Sequence, residues 1–248
     1  MKIIACYNIK GGVGKTATAV NLAYLASREG ARTLIMDLDP QGAASFYFRV
    51  KPKIKGGLKT LMDGNKQGLN ELIKGTDYAN LDLIPADFSF RNMDLFLEEA
   101  NKPTRQLRKL LKRLDNDYDV AFLDCPPSIS LVSENIFQAA DILLVPTIPS
   151  TLSLLTFNQI MKFCKENNLD DLLVIPFFSM VDIRKQLHRL IVEKPPKTLT
   201  GLLKTTIPYA SDIERMGLNH AALASYAPKC RSAMAYESLW AEIKECLS

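Results

Sequence analysis

The feature that most restricts this chain is "KGGVGKT", residues 10–16, placed directly after the apolar run "KIIACYN". Glycines at positions 11, 12 and 14 permit a tight turn whose backbone N–H groups converge on one point. A strand feeding such a turn, followed by a helical pattern that begins near Thr16, is the setting of a phosphate-binding loop. There, Gly11, Gly12, Val13 and Gly14 present amides to phosphate oxygens, and the helix adds the positive end of its dipole. Lys15 supplies a mobile cation for the terminal phosphates, and the Thr16 hydroxyl can ligate Mg²⁺. Lys10, at the head of the loop, is one lysine more than phosphate binding needs.

The remaining sequence sets this loop in an α/β frame. Short apolar, β-branched runs recur as "TLIMDLD", "LDLIPA", "VAFLDCPP", "DILLVPT", "LLVIPFF" and "TTIP", with helical patterns between most of them. Runs without in–out alternation suit strands covered on both faces, so the expected fold is a doubly wound, mostly parallel β-sheet sandwiched by helices. Ligands of such sheets bind outside the carboxyl ends of the strands. The sequence predicts a single domain over 1–248, decorated by a Gly- and Lys-rich loop with short helices at 49–76 and by a surface excursion at Pro195-Pro196.

Two acidic strand ends aim into that crevice. "IMDLDPQG" closes a strand with Asp37 and Asp39, where a carboxylate can orient the attacking water or a metal-bound one. The structural alternative is an Asp-Pro-Gln-Gly turn in which Asp39 caps a helix. "YDVAFLDCPPS" places Asp124 after four apolar residues, the arrangement in which a carboxylate faces Mg²⁺.

Together, "KGGVGKT", "DLDPQG" and "DCPPS" resemble the deviant phosphate loop and the two switch segments of the ParA/MinD family of P-loop ATPases, and the likeness covers nearly the whole chain. The resemblance implies ATP and Mg²⁺ as cofactors, hydrolysis to ADP and phosphate, and a homodimer that forms on ATP binding. In such a dimer Lys10 reaches the other subunit's nucleotide, and a cation supplied in trans stabilises the transferring phosphoryl group as an arginine finger does. By the same likeness Lys10, Lys15 and Asp39 serve catalysis, while Thr16, Asp39 and Asp124 form the metal set. Lys10, Gly11, Gly12, Val13, Gly14, Lys15, Thr16, Ala17, Met180 and Pro208 then surround the nucleotide. It further implies a ParB-like activating partner with a basic terminus. Three positions depart from the family pattern: Ala17 replaces a second hydroxyl, Ser179 a frequent Asn near the base, and Tyr209 an Arg that often contacts DNA. A separate DNA-reading domain is not expected.

A formal charge of +4 names no partner, but its distribution does. Residues 184–231 carry nine Lys/Arg against three acids. Arg184, Lys185, Arg189, Arg215, Lys229 and Arg231 are the candidate DNA contacts, and a leucine-backed basic helix at 105–113 is a further basic feature. A basic surface without base-reading motifs binds duplex phosphates whatever their sequence, and dimerisation would double it. A MinD-like membrane helix ranks lower, because the terminal "YESLWAEIKECLS" carries Glu237, Glu242 and Glu245 and no basic face. No apolar run approaches the roughly 18 to 20 residues of a membrane span, and the opening is no secretory signal, so a cytoplasmic, nucleoid-associated protein is expected. The five cysteines form no CxxC pair, and His188 and His220 stand alone, which argues against disulfide or zinc sites. The rival enzyme class on this fold activates a carboxylate with ATP and needs a small-substrate pocket. An iron–sulfur carrier would need a companion for Cys125 that the sequence lacks.

Overall fold

The computed structural model describes residues 1–63 and 66–247. Its strands are β1 (Lys2–Cys6), β2 (Thr33–Asp37), β3 (Lys74–Gly75), β4 (Leu81–Ile84), β5 (Val120–Asp124), β6 (Ile142–Thr147), β7 (Leu173–Val181) and β8 (Thr206–Pro208). They form one sheet in the order β3-β4-β2-β5-β1-β6-β7-β8. Every pairing is parallel except the edge pair β3–β4. All seven apolar runs are strands. The two-residue β3 has no apolar run to announce it, since both its residues are exposed.

Strands β2, β5 and β6 are buried from end to end, as runs without alternation require. Successive residues feed two apolar layers. Ala5, Leu34, Met36, Ala121 and Leu123 face one, while Ile4, Cys6, Ile35 and Phe122 face the other. The first layer is closed by helices Met93–Glu98, Gln106–Lys112, Leu131–Ala139 and Thr151–Glu166, through side chains such as Leu97, Leu110, Ile136 and Phe157. The second is closed by α1 (Lys15–Arg28) and by helix Arg231–Leu247, through Val20, Leu22, Tyr236, Leu239 and Trp240. Alanines at 17, 19, 23 and 26 keep α1 slim enough to be almost wholly buried between sheet and terminal helix. Asn21, a polar residue in that buried helix, is satisfied at both ends: its amide donates to Ala17 O (2.7 Å) and its oxygen accepts from Leu223 N (2.8 Å).

The stretch 49–76 contains short helices Gly57–Asp63 and Lys66–Leu72, and Gly64 and Asn65 lie outside the described residues. Leu58, Leu61, Met62, Leu69 and Leu72 enter the first apolar layer, so the segment covers the sheet as well as bordering it. The basic helix expected over 105–113 is α-helical only over Gln106–Lys112, because Pro103 opens a 3-10 turn through Arg105. Leu107, Leu110, Leu111 and Leu114 are buried, each stabilising by roughly 2 kcal/mol, and Arg105, Arg108, Lys109 and Lys112 are exposed. Among the described residues no helix is long and apolar enough to cross a membrane.

Candidate functional site

The carboxyl ends of β1, β2 and β5 converge. Their register sets Cys6 beside Asp124 and Asp124 beside Asp37. From β1 the chain enters the glycine loop, where Gly12 and Gly14 hold φ of +69° and +93°. A Cβ at Gly11 or Gly12 would meet no atom within 4 Å, so the loop borders open space. At Gly14 it would come 3.0 Å from Ser179 Oγ, which shows how closely β7 approaches the start of α1. Asn8 braces the loop: its amide donates to Pro146 O and its oxygen accepts from Lys10 N, both at 2.9 Å. Val13 is fully buried beneath it, and Lys10 is partly exposed.

Lys15 is buried, and its Nζ donates to Lys10 O at 3.3 Å. Burial lowers its pKa, while Asp124, Cys125, Asp39 and Cys6 act in the opposite direction. A desolvated ammonium resting on one neutral carbonyl is poised for an anion.

Asp37 and Asp124 are both fully buried. Asp37 Oδ2 accepts from Ser45 N (2.8 Å) and from Ser45 Oγ (2.7 Å), whereas its Oδ1 has no partner. Neither oxygen of Asp124 has one. Burial pushes Asp37 up to about 6 and Asp124 well above the carboxylate range; the Asp37 charge adds to the rise at Asp124, and Asp39 adds to the rise at both. The nearby Thr16 hydroxyl works against the shift at Asp124 without closing a hydrogen bond of ordinary geometry. Each unsatisfied oxygen costs on the order of 1–3 kcal/mol, a cost that a divalent cation would remove. Among the described residues no three His, Cys, Asp or Glu side chains could hold a metal by themselves. A cation here would complete its shell with the Thr16 hydroxyl, phosphate and water, the usual habit of Mg²⁺.

Asp39 is partly exposed and its Oδ1 accepts from Gln41 N at 3.0 Å. The Asp-Pro-Gln-Gly turn does form, closed by Gly42 N to Asp39 O at 2.9 Å, but Gly42 occupies the cap position of α2 (Ala43–Tyr47). Of the two acids in this motif, Asp37 is the one paired with Asp124. The family resemblance gives the catalytic and metal roles to Asp39, and the strand-terminal place of Asp37 is the signal in the sequence for its position beside Asp124.

A cavity of about 180 Å³ adjoins the loop, lined among others by Gly12, Ala17, Ser179, Met180, Pro208 and Tyr209. Met180 and Pro208, far apart in sequence from the loop, are thus brought to it. Met180 holds φ of +53°, which is uncommon for a residue with a side chain. The Tyr7 hydroxyl donates to Ser128 O at 2.7 Å, tying the segment after Pro126-Pro127 to the strand that enters the loop. Tyr7 also packs edge-on against Phe137, with ring centroids 4.8 Å apart. In the sequence Tyr7 is only the penultimate residue of an apolar run.

The six candidate DNA contacts are all exposed. Arg184 is engaged by Asp182 through two bonds of 2.9 Å, which hold that carboxyl at about 2, and Arg189 Nη1 donates to Ile183 O at 2.7 Å. Arg215 follows helix Ser211–Glu214, while Lys229 precedes and Arg231 begins the terminal helix. His188 is buried with Nδ1 accepting from Asp182 N at 3.1 Å, so it is a neutral structural residue, its pKa lowered first by burial.

A family model described as an AAA domain matches residues 1–172. The sporulation initiation inhibitor protein Soj of Bacillus subtilis is 29% identical over 98% of this chain and 98% of its own length. Among solved structures, a putative plasmid partition protein of Borrelia burgdorferi bound to AMPPNP superposes with a TM-score of 0.84 at 24% identity, covering 100% of this chain and 99% of that one. Cobyrinic acid a,c-diamide synthase of Mycobacterium smegmatis with bound ADP and magnesium gives 0.80 at 25% identity, over 98% and 93%.

Proposed function

Because the chain belongs to the ParA/MinD type of P-loop ATPases, the AAA-domain family matched over residues 1–172, we propose that it is an ATP-gated, DNA-associated positioning ATPase. In this reading it hydrolyses ATP with Mg²⁺, dimerises when ATP is bound, and grips duplex DNA without reading its sequence. The cycle partitions or positions a plasmid, a chromosome or a protein cargo with a ParB-like protein that stimulates hydrolysis. The observation that carries it is the trio of partnerless buried carboxylate oxygens on Asp37 and Asp124 beside the desolvated Lys15.

Each residue's part follows from its surroundings. The amides of residues 11–14 and Lys15 bind the phosphates, Ala17 contributes its backbone N–H, and Met180 and Pro208 border the adenine. Thr16 and Asp124 would hold Mg²⁺, with Asp37 beside Asp124 in the strand register and Asp39 near by. Bound Mg²⁺ would neutralise charge developing on the transferring phosphoryl group. Asp39, the more accessible acid, orients the attacking water, and Lys10 acts on the nucleotide of the other copy. Arg184, Lys185, Arg189, Arg215, Lys229 and Arg231 meet DNA phosphates, which makes the protein cytoplasmic and nucleoid-associated. The likeness to cobyrinic acid a,c-diamide synthase favours a second reading, ATP-driven carboxylate activation.

The deciding experiment is duplex-DNA binding by purified protein with ATP, ADP or no nucleotide at two salt concentrations, with Lys10→Ala and Lys15→Ala alongside. Binding only with ATP, weakened by salt and lost in both variants, is expected. Protein that binds ATP yet never binds DNA would refute the DNA reading and direct attention to small carboxylate substrates.

A further inference from the structure

Helix α2 borders a second and larger cavity, of about 670 Å³. Its apolar wall is Phe46, Tyr47, Val50 and Pro52, and its floor includes Gly42 and Ala43 of the turn after Asp39. Phe46 is half exposed, with its ring 4.3 Å from that of His220, which also lines the cavity. Arg49 and Lys51 stand at the same cavity, and they open a run, "RVKPKIKGGLK", that holds five cations and no acid. Arg49 is engaged by Asp77 at 3.2 Å, and Lys53 faces Asp87. Lys51, Lys55 and Lys59 are exposed and make no ion pair among the described residues. Of these cations Arg49 and Lys51 line the cavity, and Lys51 is the one there without an ion pair among the described residues, so this aromatic hollow with a cationic rim is complementary to an anion that carries a large apolar group.

The walls of this cavity are also the supports of the acidic pair. Ser45, on the same helix as Phe46 and Tyr47, donates to Asp37 Oδ2 and accepts from Ala86 N at 2.9 Å. Its hydroxyl is fully buried, so any displacement of α2 must move or break that bond. Tyr47 lines the cavity, and its phenol lies near enough to Asp124 for the carboxylate to add to the upward shift that burial gives it. Two side chains of one short helix therefore connect the hollow to both buried carboxylates.

We propose that this cavity is a regulatory docking site for an acidic peptide segment of a partner protein, anchored by one large apolar side chain, whose binding moves α2 and with it Asp37 and Asp124. The inference rests on reading those carboxylates as the ATPase centre. Its occupant is opposite in charge to the basic terminus expected of an activating partner, so it is a separate ligand with a separate effect on turnover.

The test uses three N-acetylated, fluorescein-labelled hexapeptides with acidic flanks and Trp, Phe or Leu at the third position, together with lysine-flanked counterparts. Anisotropy on the full chain should give saturable one-site binding of at least one acidic peptide, binding at least tenfold weaker to Lys51→Glu, and none of the lysine-flanked forms. Saturating peptide should change the ATPase rate of wild type at least twofold. Ser45→Ala should still bind the peptide but lose that change, which a merely structural serine would not do. No binding of any acidic peptide, unweakened binding to Lys51→Glu, or displacement of the peptide by duplex DNA overturns the proposal. Binding without any change in turnover overturns the coupling. If wild type neither binds nor hydrolyses ATP while the peptide still binds at the cavity, the ATPase reading fails and the docking site stands without its output.

Discussion

Replacing Asp37 by Asn should stabilise the cation-free protein and impair its hydrolysis. Asn is nearly isosteric, its oxygen can still accept from Ser45 N and Ser45 Oγ, and its amide gains a donor beside the partnerless Asp124. The magnitude follows from the carboxyl's displacement from 3.8 to about 6, caused first by burial. Carrying the charge at a site that holds the carboxyl at about 6 rather than 3.8 therefore costs the fold roughly 3 kcal/mol. The sign is that of a raised acid: the penalty is absent below about pH 4, grows through the window from 3.8 to about 6, and is complete above it. In a chain of this size, 3 kcal/mol moves the melting temperature by roughly 6–12 °C. Thermal unfolding followed by circular dichroism in EDTA, from pH 4 to pH 8, should show Asp37→Asn melting higher at pH 8 and level with wild type near pH 4. Excess Mg²⁺ should narrow the gap at pH 8 by stabilising wild type. A variant that melts lower at pH 8, or a gap independent of pH, would refute the argument that the buried pair is a stored cost awaiting a cation.

Other consequences are as direct. Gly14→Ala forces a side chain into φ of +93° and toward Ser179 Oγ, a strain of about 1–2 kcal/mol, and equilibrium dialysis with ATP should show affinity falling at least tenfold while the far-UV spectrum is kept. Tyr7→Phe keeps the ring contact with Phe137 but removes the bond to Ser128 O, so it should cost about 1–2 kcal/mol in denaturant unfolding and raise amide exchange around 128–130. The triple variant of Arg215, Lys229 and Arg231 to Ala should flatten the slope of log K against log salt by up to about 3, if each touches one phosphate. Arg184→Ala should weaken DNA binding less than any of these three, because its guanidinium is already held by Asp182.

Much of this protein can be read from its order of residues, because the signals are local. Seven strands follow from apolar runs too uniform to be half-exposed, and the loop at 10–16 follows from glycine spacing next to a strand. Asp124 is legible for the same reason: it ends a buried strand, and a strand end is a place in the sequence. Other features depend on which strands lie side by side. Asp37 and Asp124 are 87 positions apart, and only the β2–β5 register makes one carboxylate raise the other's pKa. Burial of Lys15, the reach of Tyr7 to Ser128 and the approach of Ser179 to Gly14 likewise arise where separate segments meet. The sequence alone determined the sheet, the phosphate loop and a strand-end acid, since period and spacing act within a few residues. Tertiary structure decided which acid pairs with Asp124 and what lies behind α2, because desolvation, charge coupling and cavity shape are properties of neighbours in space.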